Sequence, residues 1–319
     1  MEVYELKKNQ AKSLNLVPFK LEKDIQELVE KNTESFFNVE FIKTEYTVGK
    51  YRIDSLCYDK ENKSFVIIEY KKGKSYSVID QGYTYLQLLL NNKSDFLLTL
   101  SQHMNKVLSA DDIDWSQSKI IFVSPSYNSY QKDSVNFKNV PFELWEIKRF
   151  SNSTIALNKH QATSNESIES LSSGKSNSVI ASVSREVKTL SEEDHTANSD
   201  EAIVAKWQEL KDLLEVLDDL HIVPKKNYIS LMLGNKTLGY FSWKKAFINI
   251  EMPRGNIKPD GTKSKKYFDL DDPKKIAQEY SWTWKDGTQG CVYRVKLDKK
   301  IDLDYLMILL KQKYRNLTS

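Results

Sequence analysis

The chain has little of what usually announces a function. Its two cysteines, Cys57 and Cys291, fall in segments that read as different domains, so no disulfide framework is implied. Its four histidines are scattered, without the paired spacing of a zinc site. It has no Gly-rich phosphate loop, so ATP is not implied. It also lacks GxSxG and any Cys/His arrangement, so the common acyl hydrolases are not indicated. No apolar run approaches about 18 residues, the length of a membrane span. The first residues, MEVYELKKNQAKS, lack the apolar centre of a signal peptide. These absences lead us to expect a cytoplasmic protein without a membrane partner. At 319 residues it has room for two ordinary domains.

What is present is concentrated in three segments: KYRIDSLCYD around Asp54, FVIIEYKKGKS with Glu69 and Lys71, and VIDQGYTYLQLL with Gln81 and Tyr85. The first is rich in strand formers and ends in the turn-like DKENK. The second has the continuous apolar centre of a strand buried in mid-sheet. Strand side chains alternate faces, so Glu69 and Lys71 share one face and Tyr70 points away. A hairpin around residues 59–63 puts Asp54 near the level of Glu69. Two neighbouring carboxylates repel, and without a partner one of them takes up a proton. Mg2+ would resolve this, because it accepts one or two carboxylates and leaves its other positions to water and phosphate. Lys71 would then position the attacking water and stabilise developing negative charge. The main-chain carbonyl of Tyr70 is a further candidate ligand. A half-exposed ladder with cross-strand ion pairs would use the same residue types. The apolar flanks and the QxxxY helix that follows favour a site.

With these residues in place, residues 21–100 resemble the core of the PD-(D/E)XK nuclease superfamily, with a helix, a three-strand meander, a second helix and a fourth strand. Asp54 stands for the motif Asp, Glu69 and Lys71 for (D/E)xK, and Ile53 replaces the usual Pro. Gln81 and Tyr85 match the QxxxY of the second helix, where i and i+4 share a face. The resemblance implies a restriction-endonuclease-like α/β core of α-β-β-β-α-β order with a mixed sheet. It also implies Mg2+-dependent cleavage of DNA, with Mn2+ as a substitute metal and RNA left open, and homodimers are common among such nucleases. A catalytically silent nuclease fold that binds nucleic acid or protein is the alternative. In the first helix, Leu21, Ile25, Leu28 and Val29 form an apolar face. Related nucleases bring an early Glu of this helix toward the metal. Glu22 best matches that place, with Glu27 and Glu30 as competitors and Glu45 as a weaker candidate.

More closely, ExxIQxLVxxN, TEYxxGxxxIDxL, VIIEYKKG and QGYxYL resemble a group of bacterial proteins labelled "predicted transport proteins", whose C-terminal part is a DUF5655-type domain. The transport label finds no support in a chain without an apolar span. The division is read as a nuclease-like domain at 1–150, a serine-rich, mostly flexible linker at 151–200 with short helical possibilities near Glu186–Leu190, and an α+β domain at 201–319. The last begins with the helix AIVAKWQELKDLLEVLDDL. YISLMLG, TLGYFSWKK, AFINIEMPRG and CVYRVKLD follow as strands. LDDPKKIAQEY reads as a helix capped by Asp271 or Asp272, and DLDYLMILLKQKY closes the chain. Residues 1–150 are balanced in charge and the positive excess lies in 201–319. There Lys225, Lys226, Lys244, Lys245, Arg254, Lys258, Lys263, Lys265 and Lys266 are interleaved with Trp243, Tyr267 and Phe268. That composition suits a nucleic-acid surface. Solvated loops and core aromatics would give the same composition, and a protein partner for this domain stays open.

Overall fold

The computed structural model describes residues 2–72, 78–136, 140–160, 178–188, 190–284 and 286–319. It divides into two units, residues 1–189 and 190–319. The first opens with a ribbon, β1 (Tyr4–Lys7) and β2 (Gln10–Ser13), then α1 (Glu22–Glu30) and the short α2 (Thr33–Phe37). The meander β3 (Glu40–Val48), β4 (Tyr51–Asp59) and β5 (Ser64–Tyr70) leads to α3 (Val78–Asn91) and α4 (Lys93–His103). After these come β6 (Lys119–Ser124), α5 (Ser129–Ser134), β7 (Phe142–Arg149), β8 (Ile155–Lys159) and α6 (Ser178–Glu186). The main sheet has six strands in the order β3-β4-β5-β6-β7-β8. β5, β6 and β7 run parallel, and the outer pairs are antiparallel.

Every residue of β5 is buried, as a strand covered on both faces must be. The pleat sorts its side chains into two cores. Phe65 and Ile67, with Leu56 and Phe122, pack against Leu86 and Leu89 of α3 and Phe96 of α4. Val66 and Ile68, with Ile121 and Val123, pack against Ile25 and Val29 of α1. The expected helix–meander–helix order is present. The fourth strand, expected within residues 21–100, is instead Lys119–Ser124. Residues 93–103 are helical because Phe96 and Leu100, at i and i+4, bury one face.

The expected linker also differs. Ile155–Lys159 pairs with β7 as a sixth strand. Val183 and Val187 are buried beside α3, with Val179 packed against them. The 179–183–187 spacing is helical periodicity among serines that bury little themselves. The Lys188 N–H donates to the Ser116 carbonyl at 2.9 Å. Residues 161–177 of that stretch lie outside the described residues.

The second unit comprises α7 (Glu192–Thr196), α8 (Glu201–Leu214), β9 (Leu220–Pro224), β10 (Ile229–Leu233), β11 (Lys236–Lys244), β12 (Phe247–Ile257), β13 (Gln278–Thr283), β14 (Gln289–Leu297) and α9 (Leu303–Thr318). Its six strands form an antiparallel sheet in the order β13-β14-β12-β11-β10-β9. α8 and α9 lie on one face, placing Trp207, Leu210, Leu306 and Leu310 against Phe241, Ile248, Ile250 and Val295. The helix expected at LDDPKKIAQEY does not form. Lys275 takes a left-handed φ of 52°, which a helix interior does not tolerate. The Asp272 carboxylate instead accepts the Ala277 N–H at 2.7 Å and the Tyr305 hydroxyl at 2.7 Å. Gln278–Thr283 continues from there as the edge strand.

Lys313 is buried in α9, 4% exposed, with its ammonium 4.9 Å from the Phe268 ring. Burial pushes its pKa down to about 8. The unfolded lysine titrates near 10.4, so the unfolded state binds more protons above pH 8. The destabilisation is therefore full at neutral pH and is relieved as pH rises from about 8 to 10. Lys313→Met should raise the melting temperature at pH 7 and flatten its rise between pH 8 and 10, both readable by thermal denaturation.

Candidate active site

β4 and β5 pair from Asp59↔Ser64 to Ser55↔Ile68. One step further stand Asp54 and Glu69, and there side chains take over from the backbone ladder. The Asp54 N–H donates to Glu69 Oε1 at 3.1 Å, and the Tyr70 N–H donates to Asp54 Oδ2 at 3.1 Å. This crossed pair of bonds fixes both carboxylates side by side on the face covered by α3. Lys71 follows directly, its Nζ 3.5 Å from Glu69 Oε2. From α3, Gln81 Nε2 donates to Glu69 Oε2 at 2.9 Å and to the Tyr85 hydroxyl oxygen at 3.1 Å. Tyr85 donates in turn to the Arg52 carbonyl at 3.1 Å. Asp54, Glu69, Lys71, Gln81 and Tyr85 are thus brought together.

Glu22 is placed elsewhere. Its Oε1 accepts the Lys72 N–H at 2.8 Å, and the Lys72 ammonium bonds the Lys20 carbonyl. Glu27 is exposed. Glu45 pairs with Arg52 at 2.9 Å and with Lys23 at 3.6 Å. Glu30 accepts Ser55 Oγ at 2.6 Å and Gln26 Nε2 at 2.9 Å. Ser55 Oγ lies 2.9 Å from the Tyr70 hydroxyl, so this cluster lies on the α1 side of the sheet. Gln26 also donates to the Asp54 carbonyl at 3.0 Å and to Thr44 Oγ1 at 3.1 Å, bracing Asp54 from behind. The sequence reading missed Gln26. Its signal was an amide inside the buried stripe of Ile25 and Val29.

Burial raises the Glu69 pKa, the Asp54 charge adds to that, and Lys71 opposes it. Burial likewise raises Asp54, against the Tyr70 N–H and Lys71. Two desolvated carboxylates answered by one lysine form a site that a divalent cation would relieve. Among the described residues no group of three or more His, Cys, Asp or Glu could cage a metal. Two carboxylates are a donor set that would fit an ion completing its shell with water and phosphate, as Mg2+ does. The Tyr70 N–H serves Asp54 and its phenol serves Ser55, while its carbonyl remains a candidate ligand.

In the second unit, Arg254 is buried and committed to the fold. It pairs with Asp269 at 2.7 Å and Glu279 at 2.6 Å, and its guanidinium lies 4.2 Å from the Tyr293 ring centroid. Phe268 is buried, and Trp243 packs edge-on to Trp207 at 5.2 Å. Lys225 and Lys226 lie in the β9–β10 turn, Lys244 ends β11 and Lys245 begins the β11–β12 turn, all at one end of the sheet. Lys258, Lys263, Lys265 and Lys266 are exposed beyond β12, at the other end.

No described helix is long and apolar enough to cross a membrane. No family model matches the chain. A Haemophilus influenzae protein, described as uncharacterized, is 36% identical over 316 residues, covering 98% of this chain and 99% of its own. Three solved structures are similar to part of this chain. An EndoMS–double-stranded DNA complex is 18% identical over 38% of this chain and 42% of that one, with a TM-score of 0.23. A repair endonuclease from Pyrococcus abyssi is 15% identical over 41% and 48%, with a TM-score of 0.24. SfsA of Pyrococcus furiosus, in complex with Ca2+, is 12% identical over 46% and 76%, with a TM-score of 0.24. The match spans less than half the length of the first two.

Proposed function

We propose that the chain, which belongs to one family with the Haemophilus influenzae protein end to end, is a divalent-metal-dependent endonuclease acting on DNA. The observation that carries this is the crossed pair of main-chain bonds that holds Asp54 and Glu69 together beside Lys71. Asp54 and Glu69 would hold Mg2+, and Mn2+ would serve in its place. The ion would supply positive charge at the scissile phosphate and acidify water. Lys71 orients the attacking water and meets the charge that develops on the phosphate. Gln81 locks the Glu69 carboxylate, and Tyr85 holds Gln81 in turn. The second unit, whose sequence resembles the DUF5655 type, would hold substrate or a protein partner, and a homodimer would let two sites cut both strands.

The test is cleavage of duplex, single-stranded and branched DNA and of RNA, with Mg2+, with Mn2+ and with EDTA. Cleavage in both metals and none in EDTA is expected. Mg2+ should also raise the melting temperature of the wild type, since an ion that binds only the folded state stabilises it, and should leave Glu69→Gln nearly unmoved. Cleavage that survives EDTA, or an equal metal shift in that variant, would overturn the assignment.

A further inference from the structure

We propose that the edge of the second sheet carries a platform for unpaired bases of a single-stranded nucleic acid, a site separate from the carboxylate pair. Tyr280, Trp282 and Trp284 occur at alternate positions along and just beyond β13, so the pleat turns them to one face. They are 51%, 45% and 43% exposed, in a unit whose other large rings mostly pack inside. Their placement is built by the fold. Trp282 pairs with Gly290 across the β13–β14 ladder. A Cβ at Gly290 would lie 2.4 Å from the Trp282 ring and 2.6 Å from the Trp284 ring, so both indoles rest on bare backbone. Their ring centroids are 5.5 Å apart. Next along the row, the Arg294 guanidinium lies 3.9 Å from the Tyr280 ring centroid.

Charge identifies the occupant. The β13–β14 turn touches the loop after β12, where a Cβ at Gly287 would meet Pro259 at 3.1 Å. That loop carries the exposed Lys258, Lys265 and Lys266. A row of half-exposed rings, with Trp282 and Trp284 set edge-to-face at 80° and Arg294 on one face of Tyr280, ends beside a group of cations and matches a polyanion that offers π faces of its own. Successive bases of a single strand stack on such rings while lysines follow the phosphates. In a duplex the base faces are already stacked, so the platform selects unpaired segments.

The experiment uses the full chain in EDTA and a fluorescein-labelled single-stranded oligonucleotide. Anisotropy gives affinity, and quenching of tryptophan emission reports stacking. Trp282→Ala and Trp284→Ala should each weaken binding roughly tenfold and reduce quenching, while Trp282→Phe keeps most of the affinity, which separates ring loss from misfolding. Unchanged affinity in both alanine variants, or tighter binding of the matched duplex, would overturn the proposal. So would sedimentation in which the same variants abolish self-association and leave oligonucleotide binding intact, since the occupant would then be a second copy. Binding is read without metal, so a failure here leaves the proposed active site standing, and the reverse also holds.

Discussion

Asp54→Asn should lose cleavage by a factor of about 10²–10³ and yet melt at a higher temperature than the wild type in EDTA. The two signs come from one feature. Burial and the Glu45 charge make a negative charge at Asp54 unfavourable in the folded state, and that charge in turn raises the neighbouring Glu69. The Asn side-chain oxygen can still accept the Tyr70 N–H, so the amide keeps the bond and removes the repulsion. A carboxyl whose folded pKa lies above its unfolded value makes the folded state bind more protons. The contribution of this carboxylate pair to the stability of the metal-free wild type then falls as pH rises above about 4, where unfolded carboxyls ionise, and the difference in melting temperature between Asp54→Asn and the wild type should widen with pH. Single-turnover cleavage and pH-resolved melting check the two halves. Lys71→Ala should lose cleavage by a similar factor without the gain in stability, because it removes the charge that opposes the repulsion. A residue in an ordinary surface ladder would show neither the loss nor the opposite sign.

Gly82→Val should destabilise the first unit by about 2–3 kcal/mol, close to 5–10 °C in melting temperature for a unit of this size. Helix propensity points the other way, since replacing a helical Gly gains up to about 1 kcal/mol. Packing decides the outcome. A Cβ at Gly82 would lie 2.7 Å from the Phe142 ring. That ring cannot swing aside, because it is buried against Tyr83 at 4.9 Å and Phe122 at 6.2 Å. α3 has to lift from the sheet instead. Gln81 precedes Gly82 and Tyr85 lies three residues beyond, so the same displacement should loosen Glu69 and lower the cleavage rate of the protein that remains folded. Thermal denaturation together with kcat measured well below the melting temperature separates the two effects.

The carboxylate pair was legible because strand alternation and hairpin register are set by sequence distance: Asp54 and Glu69 stand symmetrically about the turn. The QxxxY contact was legible for a similar reason, since i and i+4 share a helical face. Contacts that depend on how one element lies over another were not legible. Glu22 lies near the end of β5 but bonds the Lys72 N–H, a choice made by the path of the chain leaving the strand. Gln26 reaches the Asp54 carbonyl only because α1 packs across β4. Composition misled where buried residues were few. The serines of 178–188 hid Val183 and Val187, and the helix formers of LDDPKKIAQEY were overruled by the Asp272 clamp and the left-handed Lys275. The basic residues were read from composition, which does not tell one end of a sheet from the other. The antiparallel register divides them between two ends of a sheet and turns Arg254 inward.

The two buried valines after the serine-rich stretch change where the first unit ends. The apolar strand pattern stops near Phe150, which invites a boundary there. A chain ended at that point would leave β7 without β8 on its outer edge, exposing an unpaired row of main-chain groups of the kind that recruits other strands. It would also uncover the side of α3 against which Val183 and Val187 pack. That helix carries Gln81 and Tyr85, so residues 155–159 and 179–187, past the expected boundary, belong to the scaffold of the proposed site. The part of the chain that can keep its own core runs through to residue 189.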